Sequence, residues 1–452
     1  MNTHLPYTLT RSFAHLRDEA EVDTLMNNDI YKFLMLDFIL THPSYRDILV
    51  RWKMTVRDPS VHLAHVIPIA ALRDQLDATR AIAGFSPADV SYLGGMKTQG
   101  GRRLFRDETL EFLRHFRLPD YRLELDGHGW YDLSFEGKWC ESMMWEIPAL
   151  KIVNSLYLSS YAKRAHITPS EWTRIMTTMM GRLYHDIDTV KRDPRITFSE
   201  FGTRRAASTD IHRQILDILE NELPDQCVGT SNAMLARERG NNNPRGTNAH
   251  ELRMIPTACT DTPEAIVDTM YEVDRQWMKH FPELAILLPD TYGSTFYFEH
   301  APRDIVEGHT GCRFDSKHPT LAIPEYIDWL MQNGKDPKKK IGIPSDGLES
   351  ETIRDVTRGF HDKIGTLTYG WGTTLTNNTR GLFPQEKEIH GPWGAFSLVI
   401  KPDAVWRPDR AEWVSCVKLS DNPNKAMGSR DRVDLFQKTF WVDGMRSQEV
   451  RV

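Results

Sequence analysis

The chain has 452 residues, 40% hydrophobic and 26% charged, with a formal net charge of −6, a size and balance that suit a globular protein of two domains or a barrel with an attached domain. The acidic balance disfavours a dedicated nucleic-acid binder, which is normally basic, and the short run Lys338-Lys339-Lys340 reads as a solvated loop before a strand. No secretory signal pattern opens the chain, the apolar stretch Phe33 to Leu40 is too short to span a bilayer, and the five cysteines (Cys140, Cys227, Cys259, Cys312 and Cys416) suit neither a disulfide framework nor a zinc site, so a cytoplasmic protein without a membrane partner is expected.

In chain order, residues 1–25 read as an irregular arm. Asn28 or Asp29 is placed to cap a helix beginning near Ile30, which carries Tyr31, Lys32 and an apolar face. Residues 46–57 alternate as a strand. Helical segments follow between about 62 and 118, broken at Gly94-Gly95 and Gly100-Gly101. Residues 121–137 read as a strand pair around Asp126-Gly127, and a long helix runs from about Glu141 to Lys163.

From about 190 to 400 short apolar segments recur, each ending in small or polar residues: 195–202, 226–231, 245–247, 285–290, 311–316, 341–346 and 367–372. Helical stretches lie between most of them, at 207–222, 263–280 and 350–362. This βα rhythm predicts parallel strands covered by helices, and about seven such units suggest a barrel. The polar residues then fall at the C-terminal strand ends, where a βα barrel keeps its active site.

Several of those ends carry chemistry. Phe201-Gly-Thr-Arg-Arg205 sets a turn glycine before two guanidiniums, which bind carboxylate or phosphate through paired hydrogen bonds; a solvated surface loop is the alternative. Gly229-Thr-Ser-Asn232 and Arg245-Gly-Thr-Asn-Ala-His-Glu251 are turns of small residues that let backbone approach a ligand. His250 follows the second of these. His250-Glu251 would begin a zinc-protease pattern, but Met254 stands where the second histidine is required. Leu288-Pro-Asp-Thr291 and Arg313-Phe-Asp-Ser316 each put an acid at a strand end, and Arg313 and Asp315 share one strand face, as a ligand site or as a structural ion pair. Ser345-Asp-Gly-Leu348 and Gly370-Trp-Gly-Thr-Thr374 resemble phosphate cradles. Lys418-Leu-Ser-Asp-Asn-Pro-Asn-Lys425 is a surface hairpin, or a turn that folds lysines over a pyrophosphate.

Taken in order with Asp29-Ile-Tyr-Lys32 and Trp145-Glu-Ile-Pro148, these stretches make the chain resemble bacterial nicotinate phosphoribosyltransferases, over roughly residues 23 to 428. The resemblance implies an irregular α/β barrel at 141–399 and an α/β domain at 1–140, completed by about 400–452. It also implies a homodimer with shared sites, in which Tyr31 reaches the partner's site. The implied reaction joins nicotinate to the phosphoribosyl group of phosphoribosyl pyrophosphate, releasing pyrophosphate, with ATP hydrolysed alongside and magnesium on the phosphates.

The resemblance carries roles onto matching positions. His250 is the histidine that ATP phosphorylates, and Asp290 orients its ring. Tyr31 and Phe201 sandwich the pyridine, Arg204 and Arg313 contact nicotinate and the 5′-phosphate side, and Asp315 sits near the ribose. Gly347, Leu348, Gly372 and Thr373 cradle phosphate, while Lys418 and Lys425, with Arg57, hold pyrophosphate. No protein ligand for magnesium is assigned. The chain departs from the family pattern at Lys317-His318, Ala206 and Trp371. The nearest rival, a nicotinamide phosphoribosyltransferase, would carry an acid at the position of Ser231 to accept from the carboxamide. Serine there favours nicotinate. A non-catalytic binding protein should have lost His250, Asp290, Arg313 and Asp315, which are all present. The residues alone also leave open an unrelated barrel enzyme acting on a phosphorylated sugar.

Overall fold

The computed structural model describes residues 21–126, 128–241, 244–389 and 391–441. Twelve strands are found among the described residues: β1 (Leu49–Val56), β2 (Tyr121–Leu125), β3 (Tyr131–Lys138), β4 (Phe198–Glu200), β5 (Cys227–Thr230), β6 (Ile286–Leu287), β7 (Gly311–Phe314), β8 (Ile341–Pro344), β9 (Thr366–Leu367), β10 (Tyr369–Trp371), β11 (Leu398–Arg407) and β12 (Glu412–Ser415).

One antiparallel sheet joins the two ends of the chain in the order β12-β11-β1-β3-β2. β1 shows why: Val50, Trp52 and Met54 are buried on one face while Arg51, Lys53 and Thr55 point outward, the period-2 pattern of a half-buried strand. β11 is different. It is buried along most of its length, as a central strand covered on both sides should be. The strand pair expected at 121–137 is present, although Gly127 at its tip lies outside the described residues, as do residues 1–20 of the expected arm.

The remaining strands form two parallel sheets, β10-β4-β5 and β6-β7-β8-β9. They meet where the chain steps from β9 to β10: Thr368 N bonds Gly342 O at 3.1 Å and Tyr369 N bonds Thr197 O at 3.0 Å. Between β5 and β6 no strand ladder is found among the described residues. The segment predicted as a strand at 245–247 spans this gap instead, as extended chain. Arg245 N bonds Thr230 O at 2.9 Å and the Asn248 side chain bonds Ile286 O at 3.1 Å. A turn of Gly, Thr and Asn has too little apolar surface to pack as a strand. The mixed α/β fold is thus two short parallel sheets that meet at β9 and β10, packed against an antiparallel sheet.

Two helices bind these layers. The helix Glu146–Arg164 is buried over most of its length, packs against β11, and reaches the turn after β4, where Asn154 Nδ2 donates to Arg204 O at 2.7 Å. The helix Glu251–Ala258 also packs against β11. Arg253 within it pairs with Asp274 and donates to Asn248 Oδ1 at 3.2 Å, so a buried ion pair steadies the turn that carries His250. The N-terminal helix runs over Ile30–Thr41, as expected, but neither proposed cap works by its side chain: Asp29 precedes the helix without capping it, and its carboxylate accepts from Ser231. No helix of the described residues is long and apolar enough to cross a membrane.

Candidate functional site

His250 sits at the start of its helix, 4% exposed, with both ring nitrogens engaged. Nε2 lies 2.9 Å from Asp315 Oδ2, and Nδ1 lies 3.1 Å from Thr291 Oγ1. Asp290 Oδ1 is 3.7 Å from Nδ1, beyond hydrogen-bond reach. Two expectations change here. The ring is held on the Nδ1 side by Thr291, with Asp290 behind it, and Asp315 pairs with the histidine directly. The cause is the pleat of β7. Arg313 and Asp315 fall on one face and point across to His250, and the guanidinium meets Asp315 Oδ1 at 3.0 Å and Ser345 Oγ at 2.8 Å.

Burial pushes the His250 ring down to about 4, with Lys418 adding to the effect against the opposing pull of Asp290 and Asp315. The imidazole is therefore neutral at neutral pH, the state in which a ring nitrogen is nucleophilic. Burial raises Asp315, but Arg313 and His250 outweigh it and hold the carboxyl well below the usual range.

The loop after β12 closes over these strand ends. Leu419 N and Ser420 N bond Thr291 O at 3.0 and 3.2 Å, which anchors the loop beside His250. Lys425 Nζ reaches Asp346 Oδ2 at 2.6 Å and Asp315 O at 3.1 Å, and Arg57 donates to Lys425 O at 3.2 Å. The structure thus brings Arg57, Lys418 and Lys425 to the strand ends that carry the histidine. These cations crowd one another. Burial takes Lys418 down to about 8, with Lys425 and Lys401 also lowering it. Burial takes Arg205 down to about 9, with Arg204 and Arg57 contributing. A site that penalises its own cations in this way favours an anionic ligand.

The pyridine candidates lie on the other side. Phe201 stands under Arg313, with 5.9 Å from guanidinium to ring centre. A methyl group added at Gly370 would come within 2.6 Å of the Phe201 ring, so glycine at 370 is what lets that ring lie flat against β10. Tyr31 donates to Glu146 Oε2 at 3.3 Å, and Arg204 meets Glu146 Oε1 at 3.5 Å. Ser231 donates to Asp29 Oδ1 at 2.6 Å. An acid is therefore present beside Ser231 after all, contributed by the N-terminal segment, so an argument from Ser231 alone is too simple. In the cradles, Gly347 adopts φ +59°, a glycine conformation, and Gly372 precedes the short helix Thr373–Thr376. Leu348 is buried and Thr373 is exposed, so Leu348 offers backbone alone to a phosphate.

The departures have structural partners. Lys317 pairs with Glu325 at 2.6 Å, His318 accepts from Thr320 N at the start of Pro319–Gln332, and the Trp371 indole donates to Thr374 at 2.6 Å. Ala206 is buried.

Sequence reading passed over Glu146, Lys401 and the role of Lys32. Lys32 lies between two carboxylates, 2.6 Å from Glu146 and 2.5 Å from Glu251, and over Trp52 at 4.7 Å. A lysine within the apolar run of β11 was the available signal for Lys401. His250, Asp290 and Asp315 each place a ligand atom within 4.8 Å of the others, the one such group found among the described residues. Asp290 Oδ1 is buried with no hydrogen-bond partner. An unpartnered carboxylate oxygen beside a second carboxylate fits a hard divalent cation such as magnesium.

The nicotinate phosphoribosyltransferase family model matches residues 196–443, and the model of that family's N-terminal domain matches residues 26–154. The chain belongs to the nicotinate phosphoribosyltransferase family. A solved nicotinate phosphoribosyltransferase from Vibrio cholerae is 25% identical, with a TM-score of 0.78 over 94% of this chain and 95% of that one. One from Porphyromonas gingivalis is 22% identical, with a TM-score of 0.76 over 93% and 99%. Membership of the family makes this chain an enzyme of that type, and both solved structures share its fold over nearly their full length.

Proposed function

We propose that this enzyme transfers the phosphoribosyl group of phosphoribosyl pyrophosphate to nicotinate, with ATP hydrolysis coupled through a phosphohistidine at His250. The observation that carries this reading is the junction of a buried neutral imidazole with a cationic clamp at one set of strand ends. In the transfer, the pyridine nitrogen attacks C1 of the ribose as the C1–O bond to pyrophosphate breaks. Arg57, Lys418 and Lys425 hold the departing pyrophosphate while positive charge develops on the ribose. Phe201 and Tyr31 position the ring and Arg204 faces its carboxylate. Asp290 and Asp315 would hold magnesium, which supplies charge neutralisation for the phosphates.

In the coupled step, His250 Nδ1 attacks the γ-phosphorus of ATP while Nε2 keeps its proton on Asp315, the bond to the β–γ bridging oxygen breaks, and ADP leaves. Water later removes the phosphoryl group as phosphate. Nδ1 is the better candidate because the ionised Asp315 takes the ring proton at Nε2, which leaves the lone pair on Nδ1, where the Thr291 hydroxyl lies 3.1 Å away. Five free cysteines support work in a reducing cytoplasm.

Steady-state rates with nicotinate and nicotinamide test the substrate. A site with surplus cations should favour the carboxylate by about 100-fold or more in kcat/KM, since the neutral amide leaves buried charge unpaired. A higher value for nicotinamide would overturn the assignment.

The resemblance also implies a homodimer with Tyr31 serving the partner's site. Within one chain Tyr31 reaches Glu146, so service to its own site is the alternative. Mixing Tyr31→Ala with His250→Ala protein separates the two. Activity regained after verified subunit exchange, the expected result, assigns Tyr31 to the partner's site, and no recovery counts against a shared site.

A further inference from the structure

A lysine inside a buried strand needs a counter-charge. β11 is apolar around Lys401, which is 8% exposed. Its amine donates to Glu146 Oε1 at 3.0 Å, the same oxygen that Arg204 meets at 3.5 Å. The other oxygen of Glu146 is taken by Lys32 and Tyr31, and Lys32 also pairs with Glu251. Three cations therefore face two carboxylates, at a place where uncompensated charge is costly. The surroundings keep two of the three charged: against burial, Glu146 and Glu251 raise Lys32, and Glu146, Asp315 and Asp29 raise Arg204. Among the described residues Lys401 pairs with Glu146 alone. Burial lowers Lys401, and Arg204 and Lys32 lower it further.

The missing negative charge has one open approach. Glu146 and Lys32 have no exposed side-chain surface, whereas the Arg204 side chain is 31% exposed. We propose that Lys401 is a specificity-determining residue that, with Arg204, receives the carboxylate of the pyridine substrate. This rests on the nicotinate reading and adds to it a second cation that sequence motifs did not mark. A carboxylate taken up beside the two cations brings the cluster to balance. A carboxamide leaves the surplus cation buried and unpaired. Selection of the acid is thus built on the strand from the C-terminal part of the chain, and Glu146 sets the spacing of the two receiving groups.

The test uses the full-length enzyme with Lys401→Met and Lys401→Arg. Methionine removes the surplus cation and leaves Lys32 and Arg204 against Glu146 and Glu251, a balanced set that should fold. Lys401→Gln reads the same ratio should the methionine protein be insoluble. The methionine variant should lose about 100-fold in kcat/KM for nicotinate, mainly through KM, while nicotinamide changes less than about threefold. Lys401→Arg should regain most of the nicotinate activity. Titration calorimetry with nicotinate and nicotinamide, without the other substrates, should show the same selective loss in binding. Equal losses for both pyridines would assign Lys401 a structural role alone, and unchanged selectivity would remove it from recognition; either result overturns the proposal. If the wild type binds and uses neither pyridine, the functional reading fails first and takes this proposal with it.

Discussion

The His250→Ala enzyme should lose ATP stimulation completely and retain a slow, ATP-independent transfer. The His250 ring is held on two sides. Thr291 and Asp290 fix the Nδ1 side, and Asp315 faces Nε2. Burial keeps the ring neutral down to about pH 4, so a nucleophilic nitrogen is available throughout the neutral range. Removing the imidazole removes the phosphoryl acceptor. It does not remove the pyrophosphate leaving group of the phosphoribosyl donor, so transfer continues without the coupling. Incubation with γ-labelled ATP should label the wild type in an acid-labile, base-stable form and leave His250→Ala unlabelled. Full ATP stimulation in a folded His250→Ala protein would show that another group carries the phosphoryl transfer.

The second large effect is expected at Lys418. Its amine is buried among Asp290, Asp315, Lys425 and Lys401, and burial takes it down to about 8. A lysine with a lowered value holds its proton below about pH 8 and loses it above. The cation needed for pyrophosphate is therefore present at neutral pH and lost in mild alkali. kcat/KM for phosphoribosyl pyrophosphate, which reports the free enzyme, should fall above about pH 8. Lys418→Arg should move that fall to higher pH, because guanidinium keeps its proton. Lys418→Met should cost roughly 100-fold to 1000-fold in kcat, the scale of losing one preorganised group from a developing anion. A flat profile to pH 10 in the wild type, or near-normal activity of Lys418→Met, would take Lys418 out of the clamp.

Much of this molecule was legible in the sequence, for physical reasons that differ from part to part. The parallel strands could be read because each is short, mostly apolar and stopped by small polar residues, as in Gly311–Phe314 before Asp315. That Lys418 and Lys425 come together could be read because they flank an Asp-Asn-Pro turn. What failed were contacts set by side-chain direction across elements. Periodicity gives no distance between Asp290 and His250, so the adjacent Thr291, which makes the actual bond, was passed over. The segment at 245–247 looks like a strand end by composition but bridges a gap. Ser231 looked like a pocket free of acid because Asp29 lies 202 residues away in sequence. The ionic hub at Glu146 escaped for the same reason, since Lys32, Arg204, Glu251 and Lys401 come from four separate regions.

The reaction itself is the most direct test. Purified protein should be given carboxyl-labelled nicotinate, phosphoribosyl pyrophosphate and magnesium, with and without ATP, and the products separated. Nicotinate mononucleotide and pyrophosphate should form in equal amounts, faster with ATP and accompanied then by ADP and phosphate. Nicotinate left unchanged by an otherwise folded enzyme, with or without ATP, would contradict the proposed reaction.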